Sequence, residues 1–195
     1  PDGGEIWLDG QEISKLSEDD YFPIRKKCGM VFQHPALFDS LTVRENVAFG
    51  LRRHFPQLKE NEVRERVTKF LSLVNLSGVE EKLPPHISYG MQKRVSLART
   101  VAIEPQYLLF DEPTTGLDPV TTNAINRLIF DLSRKLKTTS IVVSHDMYCA
   151  LEIADRIAVL DQGKVLALGT PDELRRSNVP LVKDFLAEVV EEKRT

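Results

Sequence analysis

Cysteine is nearly missing. Among 195 residues there are two, Cys28 and Cys149, far apart and without metal-ligand spacing, so free thiols rather than a disulfide framework are expected. Long hydrophobic runs are missing too: no apolar stretch approaches the roughly 20 residues that cross a bilayer, so any work at a membrane is expected to pass through another subunit. Charge of one sign is not in excess. A net charge of -3 gives no global field favouring nucleic acid or an anionic membrane, and no nucleic-acid partner is expected. His34, His54 and His86 lack ligand spacing and are expected to face solvent, and there is no internal repeat or low-complexity tract. The remainder, 42% hydrophobic and 28% charged, suffices for one sizeable core or a core with a subdomain.

Against that plain background one stretch stands out, YLLFDEPTTGLD at 107–118. Tyr107 to Phe110 form an apolar run of the kind buried on both faces of a parallel sheet, yet it ends on two adjacent carboxylates, Asp111 and Glu112. One reading is helix capping, with Asp118 as N-cap before Pro119, which leaves the Asp-Glu pair unexplained. The other is a Walker B strand of a nucleotide hydrolase, its Asp holding Mg2+ and its Glu polarising an attacking water. Such an enzyme needs a G-x-x-x-x-G-K-[ST] phosphate loop. The one Gly-Lys pair, Gly163-Lys164, is followed by Val165 and reads as a hairpin turn instead. The opening residues PDGGEIWLDGQEI run directly into turn chemistry and a strand-like segment. The sequence is therefore expected to begin inside a domain, downstream of its own phosphate loop, and the chain alone to be catalytically incompetent.

Three β-rich runs end on polar residues: CGMVFQ at Gln33, YLLFDE at Glu112 and SIVVSH at His145. Amphipathic segments separate them, the pattern of a parallel sheet with crossover helices, and ligands gather at the carboxyl edge of such sheets. After Pro119, Ile125, Leu128, Ile129, Leu132 and Leu136 share one helical face. Between Gln33 and Tyr107 lie three further helical patterns, from about Val43 to Leu51, Asn61 to Asn75, and Ser88 to before Pro105. That is too much chain for a simple crossover. Residues 34–104 are read as a helical subdomain inserted into a core made of 1–33 and 105–195. Beyond Asp155 a hairpin is expected, then a capping box at Thr170-Glu173 and a last helix after Pro180.

The ordered motifs resemble those of ABC-transporter ATPases over nearly the whole chain. Gln33 in VFQHP resembles the Q-loop glutamine, ISYGMQKR at 87–94 the LSGGQ signature, LLFDEP the Walker B strand, TTGLD the D-loop, and His145 in VVSHD the switch histidine. ALFDSLTVRENVAFGL, Met91 at the fifth signature position, TSIVVSHDM and PLVKDFL are similar to the ATPases of Mla/Mce-type lipid transport systems. Amino-acid or other small-solute importers, and soluble ABC proteins, are the alternatives.

The resemblance implies an α/β fold, a P-loop NTPase (RecA-like) core with a mostly parallel sheet and an inserted α-helical subdomain. It implies ATP and Mg2+ as ligands and a homodimer sandwiching two nucleotides at the cytoplasmic face of a membrane. Glu112, His145 and Gln33 are the implied catalytic residues, with Asp111 and Gln33 serving the metal. Ser88, Tyr89, Gly90, Met91 and Asp118 would meet nucleotide or the second subunit. Tyr89 stands where glycine is usual: it either points outward from a tolerant turn or costs on the order of 1 kcal/mol if φ > 0 is required. Lys93, Arg94 and Arg99 are expected to form a solvated helix face. The apolar segment around Ala36, Leu37, Phe38 and Leu41 either tucks under its own subdomain or, within 34–50, docks a transmembrane permease.

Overall fold

The computed structural model describes residues 2–192; residue 1 and residues 193–195, the outermost ends of the expected core, lie outside the described residues. In chain order the elements are β1 (Trp7–Leu8), β2 (Gln11–Glu12), α1 (Glu18–Lys27), β3 (Cys28–Val31), α2 (Val43–His54), α3 (Glu60–Leu73), α4 (Tyr89–Val101), β4 (Tyr107–Asp111), α5 (Pro119–Leu136), β5 (Thr139–Val143), α6 (Met147–Ile153), β6 (Ile157–Asp161), β7 (Lys164–Gly169), α7 (Pro171–Arg175) and α8 (Pro180–Glu192).

The central sheet is parallel, in the order β3-β4-β5. Its pleat divides the side chains. Val31, Leu108, Phe110 and Val142 face the main core, whereas the opposite face carries Met30 and Ile141 exposed and Leu109 only partly covered. Burial of β4 on both faces, expected from YLLF, is thus found on one face among the described residues. α4 lies tightly on β3, where a Cβ on Gly29 would come within 2.7 Å of Thr100 Cγ2, so only glycine admits the helix at this distance.

α2, α3 and α4 pack together through Val47, Leu51, Val67, Phe70, Val95 and Val101, and their cluster is continuous with Leu108, Phe110 and the apolar face of α5. The face of α5 is the one its spacing dictated, with Asp118 accepting from the Thr121 amide at 3.0 Å and Pro119 in the first turn. A second cluster gathers Ile157, Val159, Leu174 and Val182 from the C-terminal elements. There the expected hairpin forms between β6 and β7 through Gln162 and Gly163, both at positive φ, and Thr170 and Glu173 make the expected reciprocal cap. The helix α1 was not read from the sequence, although its signals are ordinary: Ser17 caps it, three acids fill the first turn and three basic residues the last.

The connection into α2 is held by one side chain. Asn46, with no exposed surface, accepts from the Phe38 amide at 2.8 Å and donates to the carbonyls of Phe38, Leu41 and Thr42 at 3.1, 3.0 and 3.0 Å. Asn46→Leu strands these buried groups and should lower the unfolding free energy by about 3 kcal/mol. Urea unfolding checks it; a midpoint equal to that of the parent protein would show that residues 38–42 do not depend on Asn46.

Candidate active site

Parallel pairing sets Val31 beside Phe110 and Asp111 beside Val143. The chain leaves β3 through Phe32 and Gln33, β4 through Asp111 and Glu112, and β5 through Ser144 and His145. Polar residues from three strands therefore emerge at one edge.

Glu112 and His145 meet there directly. The His145 amide donates to Glu112 Oε1 at 3.1 Å, and its ring Nδ1 lies 2.9 Å from Oε1 and 2.8 Å from Oε2. Thr115 Oγ1 donates to Oε2 at 3.1 Å. The carboxylate is thus fixed in orientation and largely shielded, 22% exposed, while the imidazole is 78% exposed and its Nε2 has no protein partner among the described residues. Glu112 sits at φ 45, a region that costs a non-glycine residue on the order of 1 kcal/mol or more. Its amide still donates to the Val143 carbonyl at 2.9 Å, so the strand pairing over-determines the strained turn. The hydrogen bond to Glu112, reinforced by its charge, raises the His145 pKa above the ordinary 6.5.

Asp111 is exposed and makes no hydrogen bond or ion pair among the described residues. No group of three or more His, Cys, Asp or Glu side chains converges as a metal cage among those residues either. A single free carboxylate beside an already occupied one fits Mg2+, which keeps several waters and takes one or two carboxylates together with phosphate oxygens.

Gln33 is exposed, and its backbone is gripped from α4. The carbonyl of Gln33 accepts from Lys93 Nζ. Arg99 donates to the Ala36 carbonyl at 2.7 Å and the Pro35 carbonyl at 3.1 Å, while the single Thr100 hydroxyl proton lies nearer the Ser96 carbonyl of its own helix, 3.0 Å, than the Met30 carbonyl, 3.3 Å. The expected solvated basic face is therefore wrong for Lys93, 3% exposed, and for Arg99, which is engaged along its guanidinium. The reason is that the carbonyls just beyond β3 leave the sheet ladder and need donors. A signal was present: Tyr89, Lys93, Ser96 and Thr100 recur at helical spacing on one face.

Tyr89 departs from both readings offered for it. It is the first residue of α4 after the N-cap Ser88, has no left-handed φ, and is half-buried rather than pointing clear of the turn. Its hydroxyl lies 3.3 Å from His34 Nδ1, the Lys93 ammonium lies 5.5 Å from its ring centre, and its ring edge is 3.5 Å from the Cβ position of Gly116. Gly90 abuts α5, where a Cβ would lie 3.0 Å from Thr121 Cγ2. Ser88 Oγ accepts from the Met91 amide at 3.3 Å and keeps its proton to donate, while the Met91 side chain packs against the main core. Asp118 is held as a cap by Thr121, which lowers its pKa. The structure thus gathers residues 88–91 with 34 and 116–121, and no hydrogen bond joins Ser88, Gly90, Met91 or Asp118 to Glu112 or His145 among the described residues. A cavity of about 350 Å3 lies between Gly116, Leu117 and His145, Met147.

His34 and His86 are exposed as expected, His34 with Tyr89 as partner; His54 is half-buried, and desolvation lowers its pKa. Both cysteines are free thiols, and burial pushes Cys149 up to about 12, which removes it from nucleophilic chemistry near neutral pH.

The family pattern described as ABC transporter matches residues 1–115. The intermembrane phospholipid transport system ATP-binding protein MlaF of Haemophilus influenzae is 42% identical over 186 residues, 95% of this chain and 70% of that protein. The methionine import ATP-binding protein MetN of Carboxydothermus hydrogenoformans is 40% identical over 192 residues, 97% of this chain but only 56% of its own length. Among solved structures, a dimeric ATP-binding cassette in a post-hydrolysis state with ADP and Pi superposes with a TM-score of 0.77 at 31% identity, covering 87% of this chain and 74% of the other.

The Glu112–His145 pair predicts a pH signature. NMR titration of the His145 ring should give a midpoint above 6.5, and Glu112→Gln should return it toward that value. Because the folded pKa exceeds the unfolded one, the pair's contribution to stability is full below about pH 6.5 and is lost as pH rises through the folded value. A midpoint that Glu112→Gln leaves unmoved would mean that the pair does not form in solution.

Proposed function

The chain belongs to the ABC transporter ATPase family, and on that premise we propose that, together with a phosphate-binding loop that its own residues do not supply, it binds and hydrolyses ATP to power phospholipid movement through a membrane permease. The observation that carries the hydrolytic reading is the Glu112 carboxylate, fixed by His145 and Thr115 beside the unengaged Asp111. In that reading Glu112 accepts a hydrogen bond from the attacking water and takes up its proton as the bond to the γ-phosphorus forms and the bridging P–O bond breaks, ADP leaving with that oxygen. His145, its Nδ1 committed to Glu112, turns Nε2 to a γ-phosphate oxygen and holds the in-line geometry. Asp111 would hold Mg2+, which would supply positive charge to the phosphate oxygens. Gln33 reaches the same edge from β3 and senses its occupancy.

Residues 34–104 then act as the helical subdomain on a core of 1–33 and 105–195. The N-terminus of α4 offers its free amides and the Ser88 hydroxyl to the ATP of a second subunit, a helix end being favourable to an anion. Asp118, Tyr89, Gly90 and Met91 line that junction. Phospholipid as cargo is supported by the resemblance to the Mla-type relative; the methionine importer, almost as similar, supports amino-acid import as the second reading. The permease contact is assigned to Phe38 and Phe49, 44% and 49% exposed with ring centres 4.9 Å apart, which form an apolar step beside Gln33. Leu37 beneath them packs on the core. On that reading the ATPase works at the cytoplasmic face of a membrane.

Glu112→Gln should abolish steady-state hydrolysis by the full-length ATPase while sparing ATP binding, since it keeps the shape and removes the proton acceptor. Unchanged turnover would show that another group does this work. Phe38→Asp should release the permease in a pull-down and leave ATP binding intact; co-purification at the parental ratio would remove Phe38 from the interface.

A further inference from the structure

Lys93 is an unusual lysine. It is 3% exposed, has no carboxylate partner among the described residues, and its ammonium is spent on the Gln33 carbonyl and the face of Tyr89. Desolvation lowers its pKa, the mark of a charge that burial disfavours. A methionine would fill the same volume without that cost, so stability does not account for the ammonium. What it supplies is a fixed donor to a backbone group that has left the sheet ladder. Arg99 does the same at the carbonyls of Pro35 and Ala36, so the path of residues 33–36 is written by α4.

We propose that Lys93 is a positioning residue for Gln33: it sets where the Gln33 side chain stands relative to Asp111 and Glu112, and ties that placement to the turn that opens α4. The inference rests on the reading that Gln33 serves ATP hydrolysis. Its consequence is that Gln33, at one nucleotide, and Ser88 with Gly90, facing another, ride on the same two turns of one helix. A displacement of the α4 N-terminus displaces Gln33.

The test is a double-mutant cycle in the full-length ATPase, with Lys93→Met, Gln33→Ala and the pair. Lys93→Met should lower kcat about tenfold with KM for ATP within about twofold. Its Tm should be unchanged or higher, and hydrogen exchange across residues 32–38 faster. In the Gln33→Ala background Lys93→Met should change kcat no further. Lys93→Gln, which keeps a neutral donor toward the same carbonyl, should restore most of kcat and decides the matter if Lys93→Met folds poorly. If Gln33→Ala itself leaves kcat unchanged, the hydrolytic reading of Gln33 fails. If Gln33→Ala lowers kcat but Lys93→Met does not, or lowers it by the same factor in both backgrounds, the positioning role is overturned and that reading stands.

Discussion

Parallel pairing of β3, β4 and β5 is the constraint from which the site follows. Strands that run the same way end on the same edge, and their side chains stay in register across the sheet. With Asp111 beside Val143, the residues that leave β4 and β5 are bound to meet, and Glu112 is held by the next backbone hydrogen bond in spite of its unfavourable φ. An antiparallel partner would have carried His145 to the far end of the sheet. Strain at Glu112 persists because pairing on one side and the contacts of His145 and Thr115 on the other leave the turn no alternative.

The second organising element is α4, which packs against α2 and α3 and also covers the core face of β3, made possible by Gly29. A helix in that position has two tasks. Val95, Ala98 and Val101 belong to the one core that joins α2 and α3 to β4 and α5, while Lys93 and Arg99 satisfy carbonyls just beyond β3. Burying these donors removes them from water, a cost offset only where acceptors stand in reach, and here the chain beyond the sheet ladder supplies them. The same helix presents its N-terminal turn outward. The core packing of α4 and the position of its N-terminal turn are therefore coupled through one helix of 13 residues.

Electrostatics at the edge divides the labour among groups of similar type. Of two neighbouring carboxylates, Glu112 is enclosed by donors and oriented, whereas Asp111 stays open to solvent and free for a cation. Of the two thiols, the buried Cys149 is kept protonated. The first distinction comes from which donors the fold brings alongside, the second from burial, which disfavours the thiolate.

By itself the sequence determined the local grammar. Apolar spacing fixed the face of α5, Asp118-Pro119 and Thr170-Glu173 fixed helix starts, and three short β-rich runs ending on polar residues fixed a parallel sheet with Gln33, Asp111, Glu112 and His145 at one edge. The helix faces and caps are short-range properties, carried by residues one to four positions apart; the sheet pairs residues 79 and 32 positions apart and was legible only through the order of the runs. Tertiary structure decided what lies far apart in the chain. The burial of Lys93 under a carbonyl 60 positions away, the contact of Tyr89 with His34, and the grip of His145 on Glu112 each depend on how α4 and β5 dock against their neighbours. A charged residue at helical spacing reads as solvated until a partner without a sequence signature, a backbone carbonyl, is placed against it.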